Sequence, residues 1–189
     1  MFENLLADLT AGDEAKAEAA SIALAQKGEP AFNLLQPLLA SALTDQRWWA
    51  IRTLARMPSP QEGLLIRALG DPASEVRAAA ALALSEHPTE AAVGRLILVL
   101  GDADSIVGTL ATSALVSIGK PAVVGLLEAF DAGSKNVRIF IMQALAEIGD
   151  HRAIPIMLKA TESDSALLDY WAREGLERLG LDMIYMKLT

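Results

Sequence analysis

The chain has 189 residues, no cysteine and a formal net charge of −8, and 52% of its residues are hydrophobic. The lack of cysteine excludes disulfide bonds, thiol catalysis and zinc–thiolate sites. The negative charge, without any run of lysine or arginine, argues against nucleic-acid binding, which requires a clustered basic face. No apolar run approaches the length of a membrane span and no secretory signal is recognised, so we expect a cytoplasmic protein with neither nucleic acid nor membrane as partner.

The first predicted element is a short amphipathic helix at residues 2–9, where Phe2, Leu5, Leu6 and Leu9 share one face. We expect residues 1–12 to form an N-terminal cap helix over the first of the repeats that follow, since stacked repeats require a covered end. A helix that docks on a partner is the alternative interpretation.

Residues 13–180 consist of repeated units. A helix-breaking residue returns every 30 or 31 positions, at Gly28, Pro58, Pro88, Gly119, Gly149 and Gly180. Four positions before each breaker there is a leucine, at Leu24, Leu54, Leu84, Leu115, Leu145 and Leu176. Five positions before it there is a small residue, at Ala23, Thr53, Ala83, Ala114, Ala144 and Gly175. Two-helix units of this length cannot bury both faces alone, so they must stack on their neighbours.

The clearest copy covers residues 71–102. We expect Asp71 to be the N-cap of its first helix, with Pro72 at the first helical position, where the missing N–H costs nothing. In the next copy the first helix contains Gly108, which indicates either a flexible point or close packing of helices.

Two stretches, VRAAAALAL at residues 76–84 and VRIFIMQALAEIGD at residues 137–150, resemble the short HEAT-like repeats of the phycobilisome-lyase type. In that family each repeat is a pair of helices, and a valine–arginine pair opens the first. The resemblance covers residues 13–180. The arginine is present as Arg47, Arg77 and Arg138, and it is replaced by Ala17, Gly108 and Asp169.

Periodicity and resemblance together predict an all-α fold: a right-handed α-solenoid, or superhelix, of about six two-helix HEAT-like repeats of 30–31 residues. We expect a single domain over residues 1–189, because no linker interrupts the repeat. The three arginines have a structural interpretation, since they stand near helix N-termini and can pair with Asp45, Asp71 and Asp102 of adjacent repeats. Such pairs fix the register of the repeats more than they add stability.

No catalytic or cofactor-binding constellation is recognised. The two histidines, His87 and His151, lie in turns of different repeats, and only His87 has a carboxylate beside it, Glu86. Deoxyhypusine hydroxylase, a metalloenzyme built from HEAT repeats, needs several His-Glu pairs and is therefore excluded. HEAT-like alkylpurine DNA glycosylases use a basic cleft, which the acidic composition argues against. We expect no metal, no cofactor and no catalytic residue.

Candidate partner-binding residues lie on the second helices, which line the concave side of HEAT-type solenoids. The outward-facing column there is predicted to contain Arg67, Leu98, Glu128 and Lys159, with Arg95 nearby. Its mixed charge suits a protein partner better than a polyanion. Trp48 is the other candidate, because tryptophan and arginine dominate the energetics of interfaces. The alternative for Trp48 is packing against a neighbouring helix.

The tail at residues 181–189 is predicted to be a shortened second helix with Met183, Ile184, Met186 and Leu188 as apolar surface. It either folds back as a C-terminal cap or joins two copies as a homodimer.

These features predict a non-catalytic scaffold or adaptor that binds another protein on its concave face. The alternative, implied by the repeat type, is a subunit of the bilin-lyase kind that attaches or detaches a chromophore on an antenna protein. A cavity lined by aromatic and basic groups would favour that alternative. A third hypothesis is a regulatory piece of a sensor or kinase system.

Overall fold

The computed structural model describes residues 2–181, and among them it contains α-helices, short 3-10 turns and no strand. The helices are α1 (Phe2–Leu9), α2 (Glu14–Ala25), α3 (Glu29–Leu39), α4 (Thr44–Ala55), α5 (Glu62–Ala68), α6 (Ser74–Glu86), α7 (Val93–Val99), α8 (Ser105–Ile118), α9 (Val123–Phe130), α10 (Lys135–Ile148), α11 (Ile154–Ala160) and α12 (Ala166–Arg178). The 3-10 turns are Glu90–Ala92, Lys120–Ala122 and His151–Ala153. The helix predicted at residues 2–9 is present as α1.

The predicted C-terminal helix and the homodimer built on Met183 and Met186 fall, apart from Leu181, outside the described residues. Within residues 2–181 no single helix is both long and apolar enough to cross a membrane. Ser105–Ile118 and Lys120–Phe130 are long and apolar enough only when they are taken together, and the chain bends by 113° at the break between them.

The chain divides into two compact units, residues 1–87 and residues 88–189. In the first unit α1 packs on α2, and the first helices of successive repeats, α2, α4 and α6, lie side by side. In the second unit α8, α10 and α12 do the same. In both units each second helix packs against the first helix of the next repeat, as α3 does on α4 and α9 on α10. The single domain expected over residues 1–189 stays a prediction.

The leucine repeated in every copy forms the centre of the core. Each of the six is fully buried at 0% exposure: Leu24, Leu54, Leu84, Leu115, Leu145 and Leu176. Full burial of one such side chain contributes roughly 1.5–3 kcal/mol, so this column is the main apolar contribution of each first helix. The small neighbour has a steric reason at Gly175, where an added Cβ would lie 2.6 Å from Cε of Met157 and 3.0 Å from Cα of Ala146.

A turn of one type precedes most of the first helices. A side-chain oxygen accepts the backbone N–H two residues ahead, and the helix begins one residue after that N–H; the accepting residues are Ser41, Asp71, Asp102 and Ser163. The prediction that Asp71 is the N-cap with Pro72 at the first helical position is therefore wrong. The carboxylate of Asp71 accepts the N–H of Ala73 at 2.9 Å, which closes an Asx-turn, and α6 begins only at Ser74.

The glycine breakers take backbone conformations that other residues avoid. Gly28, Gly119, Gly149 and Gly180 all have positive φ. Gly149 is left-handed at φ 65° and ψ 43°, and its N–H bonds to the carbonyl of Leu145 at 3.1 Å, which caps α10. A side chain there would be strained, so the breaker is a structural requirement of the turn.

Candidate functional site

Five of the six predicted partner-binding side chains are exposed on second helices. Arg67 lies on α5 in the first unit, and Arg95, Leu98, Glu128 and Lys159 lie on α7, α9 and α11 in the second. Leu98 is 68% exposed, a large value for an apolar residue. Nζ of Lys159 lies 4.0 Å from Oδ1 of Asp131, and because both side chains are mostly exposed this pair contributes little. A role of these residues in partner binding stays a prediction.

The sixth candidate, Trp48, is half-buried rather than free in solvent. Its ring packs edge to face on that of Trp49, with 4.8 Å between centroids and 84° between planes. The guanidinium of Arg52, one turn further along α4, lies 4.8 Å from the centroid of the Trp48 ring. Trp48 therefore belongs to an aromatic cluster at the surface of α4, and its role in partner binding stays a prediction.

The two tryptophans line a cavity of about 840 Å³ in the first unit. Buried Leu9 of α1 and the 61% exposed side chain of Leu43 give it apolar surface. Three carboxylates also line it, and no described residue of the lining is basic.

The carboxylates are Glu14, Asp45 and Glu75, and they come from the first turns of α2, α4 and α6. All three are exposed, and among residues 2–181 none is hydrogen-bonded to, or ion-paired with, a basic side chain. Acidic residues are favoured in first turns because the helix dipole is positive there. Since the three first helices lie side by side, their N-terminal acids form one acidic surface.

Polar contacts between α2 and α4 hold the tryptophan-bearing helix in place. Glu18 of α2 forms ion pairs with Arg52 of α4 and with Arg56, the residue directly after that helix. Nη1 of Arg56 also donates to Oγ of Ser21 at 2.7 Å. The hydroxyl of Thr53 lies 3.0 Å from the same oxygen, and both Ser21 and Thr53 are 0% exposed. Sequence reasoning missed this cluster, although the spacing of Trp48, Arg52 and Arg56 places them on one face of the helix.

The repeated arginines close the turns that precede their own helices. Arg47 donates to the carbonyl of Ser41 at 2.9 Å, Arg77 to that of Asp71 at 2.8 Å, and Arg138 to that of Asp131 at 2.7 Å. These contacts with carbonyls are structural but were not predicted, and they occupy N–H donors that a ligand would otherwise use. Of the carboxylates predicted as partners, Asp45 is not paired with an arginine among residues 2–181.

Arg47 also pairs with Asp71 of the next repeat, as predicted. Nε and Nη2 of Arg47 donate to the two carboxylate oxygens, each at 2.8 Å, and both side chains are 11% exposed. Burial raises the pKa of Asp71, but the hydrogen bonds from Arg47 and from the N–H of Ala73, together with the charge of Arg47, outweigh it and lower the pKa below its usual value. The hydrogen bond to Asp71 raises the pKa of Arg47.

Two smaller cavities contain basic groups. One of about 470 Å³ in the second unit is lined by Lys135 and Arg138 together with Asp164. One of about 240 Å³ in the first unit is lined by Arg47 and Arg67. Neither has an aromatic lining residue, and the aromatic cavity has no basic one. None of these three cavities combines the aromatic and basic groups expected for a bilin site.

The histidines lie apart from any cavity described above. His87 is half-buried, and its Nε2 donates to the carbonyl of Ala55 at 2.7 Å. This hydrogen bond gives the histidine a structural role in the turn. His151 is exposed at the start of a 3-10 turn. Within residues 2–181 no three histidine, aspartate or glutamate side chains are grouped so that they could hold a metal ion.

Two family models match parts of the chain. Residues 62–133 match HEAT repeats, and residues 137–163 match the PBS lyase HEAT-like repeat. The repeat type suggested by the sequence resemblance is therefore confirmed.

Two curated relatives are similar over about half of the chain. The phycobilisome maturation protein of Synechococcus elongatus is 35% identical over 92 residues, which cover 49% of this chain and 44% of the relative. The phycocyanobilin lyase subunit beta of Nostoc sp. is 35% identical over 100 residues, which cover 52% and 49%. The chain thus spans about half the length of the curated relatives it matches.

A solved structure, the complex of CpcE and CpcF of phycocyanin lyase from Nostoc sp., is similar over a larger part of the chain. The TM-score is 0.59 at 27% identity, and the match covers 76% of this chain and 96% of that chain. Together with the helical hairpins described above, this match confirms the predicted fold class, an all-α solenoid of HEAT-like repeats.

The comparisons overturn the main functional prediction. A non-catalytic interaction scaffold was expected because no catalytic motif is visible in the sequence. The relatives are instead named as a phycobilisome maturation protein, a phycocyanobilin lyase subunit and a phycocyanin lyase, which supports the chromophore-handling alternative. The prediction failed because it relied on the lack of a recognisable catalytic motif in the sequence, and a repeat fold by itself does not separate a scaffold from a lyase subunit. The prediction of a protein partner is consistent with a lyase that is solved as a complex of two chains.

Proposed function

We propose that this chain, a HEAT-like repeat protein of the phycobilisome-lyase repeat type, is a chromophore-handling subunit that attaches a bilin to an antenna protein or detaches it. The observation that carries the proposal is the match to the phycocyanin lyase complex, which covers 96% of that chain at 27% identity. The two curated relatives support the same class of substrate, a bilin on a phycobilisome protein.

The proposal includes a protein partner. The phycocyanin lyase was solved as a complex of CpcE and CpcF. We therefore propose that it works together with a second subunit. The exposed side chains of Arg95, Leu98, Glu128 and Lys159 are the candidate contact surface, with Leu98 as its apolar anchor. A cytoplasmic location is part of the same proposal.

The bilin itself is not expected in the acidic cavity. A bilin carries propionate groups, which are anionic at neutral pH, and Glu14, Asp45 and Glu75 would repel them. The basic groups Lys135 and Arg138 beside the second cavity are better matched to propionates, although Arg138 already donates to the backbone. We therefore expect substitutions in the acidic cavity to leave the binding of free bilin by the chain unchanged.

The test is a chromophore-transfer assay. The purified chain is mixed with phycocyanobilin and an apo-phycocyanin, alone and together with either CpcE or CpcF from Nostoc sp. Covalent bilin is detected as zinc-enhanced fluorescence at the mass of the antenna protein on a denaturing gel. A parallel series starts from bilin-loaded phycocyanin and follows the loss of that fluorescence.

We expect bilin transfer or removal in at least one combination, above the level seen with a designed armadillo repeat protein as a control of the same fold. If every combination matches the control, and the absorption spectrum of phycocyanobilin does not shift on addition of the chain, the proposed function is wrong.

A further inference from the structure

The cavity of about 840 Å³ in the first unit is not explained by chromophore handling. From its charge and its aromatic lining we infer that it binds an arginine- or lysine-bearing segment of a partner protein. The inference goes beyond the proposed function and does not depend on it, because the cavity is expected to reject a bilin.

The first argument is charge complementarity. Glu14, Asp45 and Glu75 come from three helices and share one cavity in which no described lining residue is basic. Helix dipoles account for an acidic residue at each N-terminus separately. They do not account for a shared cavity in which the three charges lack counterions from the described chain, and a cationic side chain would neutralise that charge. The net charge of −8 adds a long-range attraction for basic segments.

The second argument is the pair of tryptophans beside these carboxylates. Tryptophan offers the most favourable aromatic face for a guanidinium or ammonium group. The chain already uses that interaction here, since the guanidinium of Arg52 lies 4.8 Å from the ring centroid of Trp48 and 5.9 Å from that of Trp49. The two rings stand at 84° to each other, so they present surfaces in two directions, and both line the cavity.

The third argument is that the aromatic pair is held before any ligand arrives. Arg52 is ion-paired with Glu18 and cannot turn into the cavity without losing that contact. Buried Ser21 and Thr53 fix α4 against α2 one turn away. A preformed site binds with less loss of side-chain entropy than one that must order on binding.

The size and rim of the cavity indicate an extended segment rather than a small ion. A volume of about 840 Å³ exceeds what one side chain fills. Leu43 at the rim is 61% exposed and offers apolar surface to the aliphatic stems of arginine and lysine, which pack on such surface while their charged ends reach the carboxylates.

The test uses tryptophan fluorescence of the full chain with a Trp171→Phe substitution, which leaves Trp48 and Trp49 as the reporters. The probe is a hexa-arginine peptide, and a hexa-glutamate peptide is the negative control. We expect hexa-arginine to change the fluorescence saturably, with an affinity that weakens as salt is added, and hexa-glutamate to leave it unchanged.

Two triple variants separate the cavity from the general charge of the protein. Glu14→Gln/Asp45→Asn/Glu75→Gln neutralises the cavity, whereas Glu86→Gln/Glu90→Gln/Glu162→Gln removes the same charge at exposed positions outside it. We expect the cavity variant to bind hexa-arginine at least about tenfold more weakly and the control variant to bind within about twofold of the parent. Equal weakening in both variants, or no saturable binding to the parent, would overturn the inference, and neither outcome bears on the bilin assay.

Discussion

Arg47, Arg77 and Arg138 occupy one position of the repeat and share one contact, a donation to the backbone carbonyls of the turn before their helix. Arginine suits this position because its planar group offers several donors in fixed directions. Arg47 uses the remaining donors on Asp71, so one side chain joins its own turn to the turn of the next repeat. The pair therefore fixes how adjacent repeats stack within the first unit.

Loss of Asp71 should leave the guanidinium of Arg47 buried without its counterion. We expect Asp71→Ala to lower the free energy of unfolding by about 3 kcal/mol, because breaking a mostly buried pair strands one charge and the Asx-turn is lost as well. Urea unfolding followed by circular dichroism measures the change.

The control for this substitution is the more exposed pair of Arg173 and Asp169 on α12, whose side chains are 43% and 31% exposed. Asp169→Ala should cost less than about 1 kcal/mol. Equal costs for the two substitutions would show that burial adds nothing to the Arg47–Asp71 pair. The double substitution Arg47→Leu/Asp71→Ala should be less destabilising than the sum of the two single ones.

The helices and their buried faces were the part of this structure most easily predicted from the sequence. A leucine that returns every 30 or 31 residues must face one core, and all six are fully buried. Helix starts were less predictable, because an aspartate followed by proline can either cap a helix or close a turn before it. At Asp71 the turn forms, and the carboxylate also bonds Arg47, which lies 24 residues earlier in the chain. The repeat pattern predicts that pair, but it does not show whether the aspartate caps the helix or closes the turn before it.

The acidic cavity could not be predicted from one repeat. Its carboxylates, Glu14, Asp45 and Glu75, occupy ordinary first-turn positions in three separate helices. They share one cavity only because those helices pack side by side next to Trp48 and Trp49.

The sequence left two interpretations of Gly108 open, a flexible point or close packing of helices. Close packing is the correct one, since a Cβ at Gly108 would lie 2.9 Å from Cε2 of Phe140 and 3.2 Å from the carbonyl oxygen of Leu100. Gly108 is a point of close approach.

Replacing a helical glycine by alanine tests this close packing of helices. Alanine normally favours a helix over glycine by about 1 kcal/mol. At Gly175 of α12 the new methyl group would meet Met157 and the backbone at Ala146, so we expect Gly175→Ala to lower the free energy of unfolding by about 1–3 kcal/mol despite that preference. At Gly94 of α7 nothing lies within 4 Å of the added Cβ, and Gly94→Ala should raise it by about 0.5–1 kcal/mol.

Chemical denaturation of the two glycine variants beside the parent decides the point. Opposite signs support close approach of α12 to its neighbours. A stabilising effect at both positions would show that Met157 moves aside freely and that the small residue before the leucine is not needed in that repeat.

At the scale of the whole molecule, each unit contains a turn aspartate whose pKa is lowered by an arginine. In the first unit this is Asp71 with Arg47. In the second it is Asp150, which is 8% exposed and accepts two side-chain hydrogen bonds from Arg152, at 2.9 and 3.0 Å. The side-chain and backbone hydrogen bonds from Arg152 hold the pKa of Asp150 well below its usual range. Arg152 also donates to the carbonyl of Lys120 at 2.9 Å, so this pair likewise connects two repeats.

Acid should therefore weaken both units. A carboxyl whose pKa is lowered by folding binds fewer protons in the folded state than in the unfolded state, so its stabilising contribution is complete above the usual aspartate pKa of about 4 and is lost as the pH falls towards the folded value. We expect the free energy of unfolding to drop between about pH 5 and pH 2, and Asp71→Asn/Asp150→Asn to be less stable than the parent at pH 7 but to lose less on acidification. Urea unfolding at a series of pH values measures both slopes, with Glu86→Gln as a control for the loss of an exposed carboxylate. If the double variant and the parent had equal slopes, these two aspartates would not be the source of the acid sensitivity.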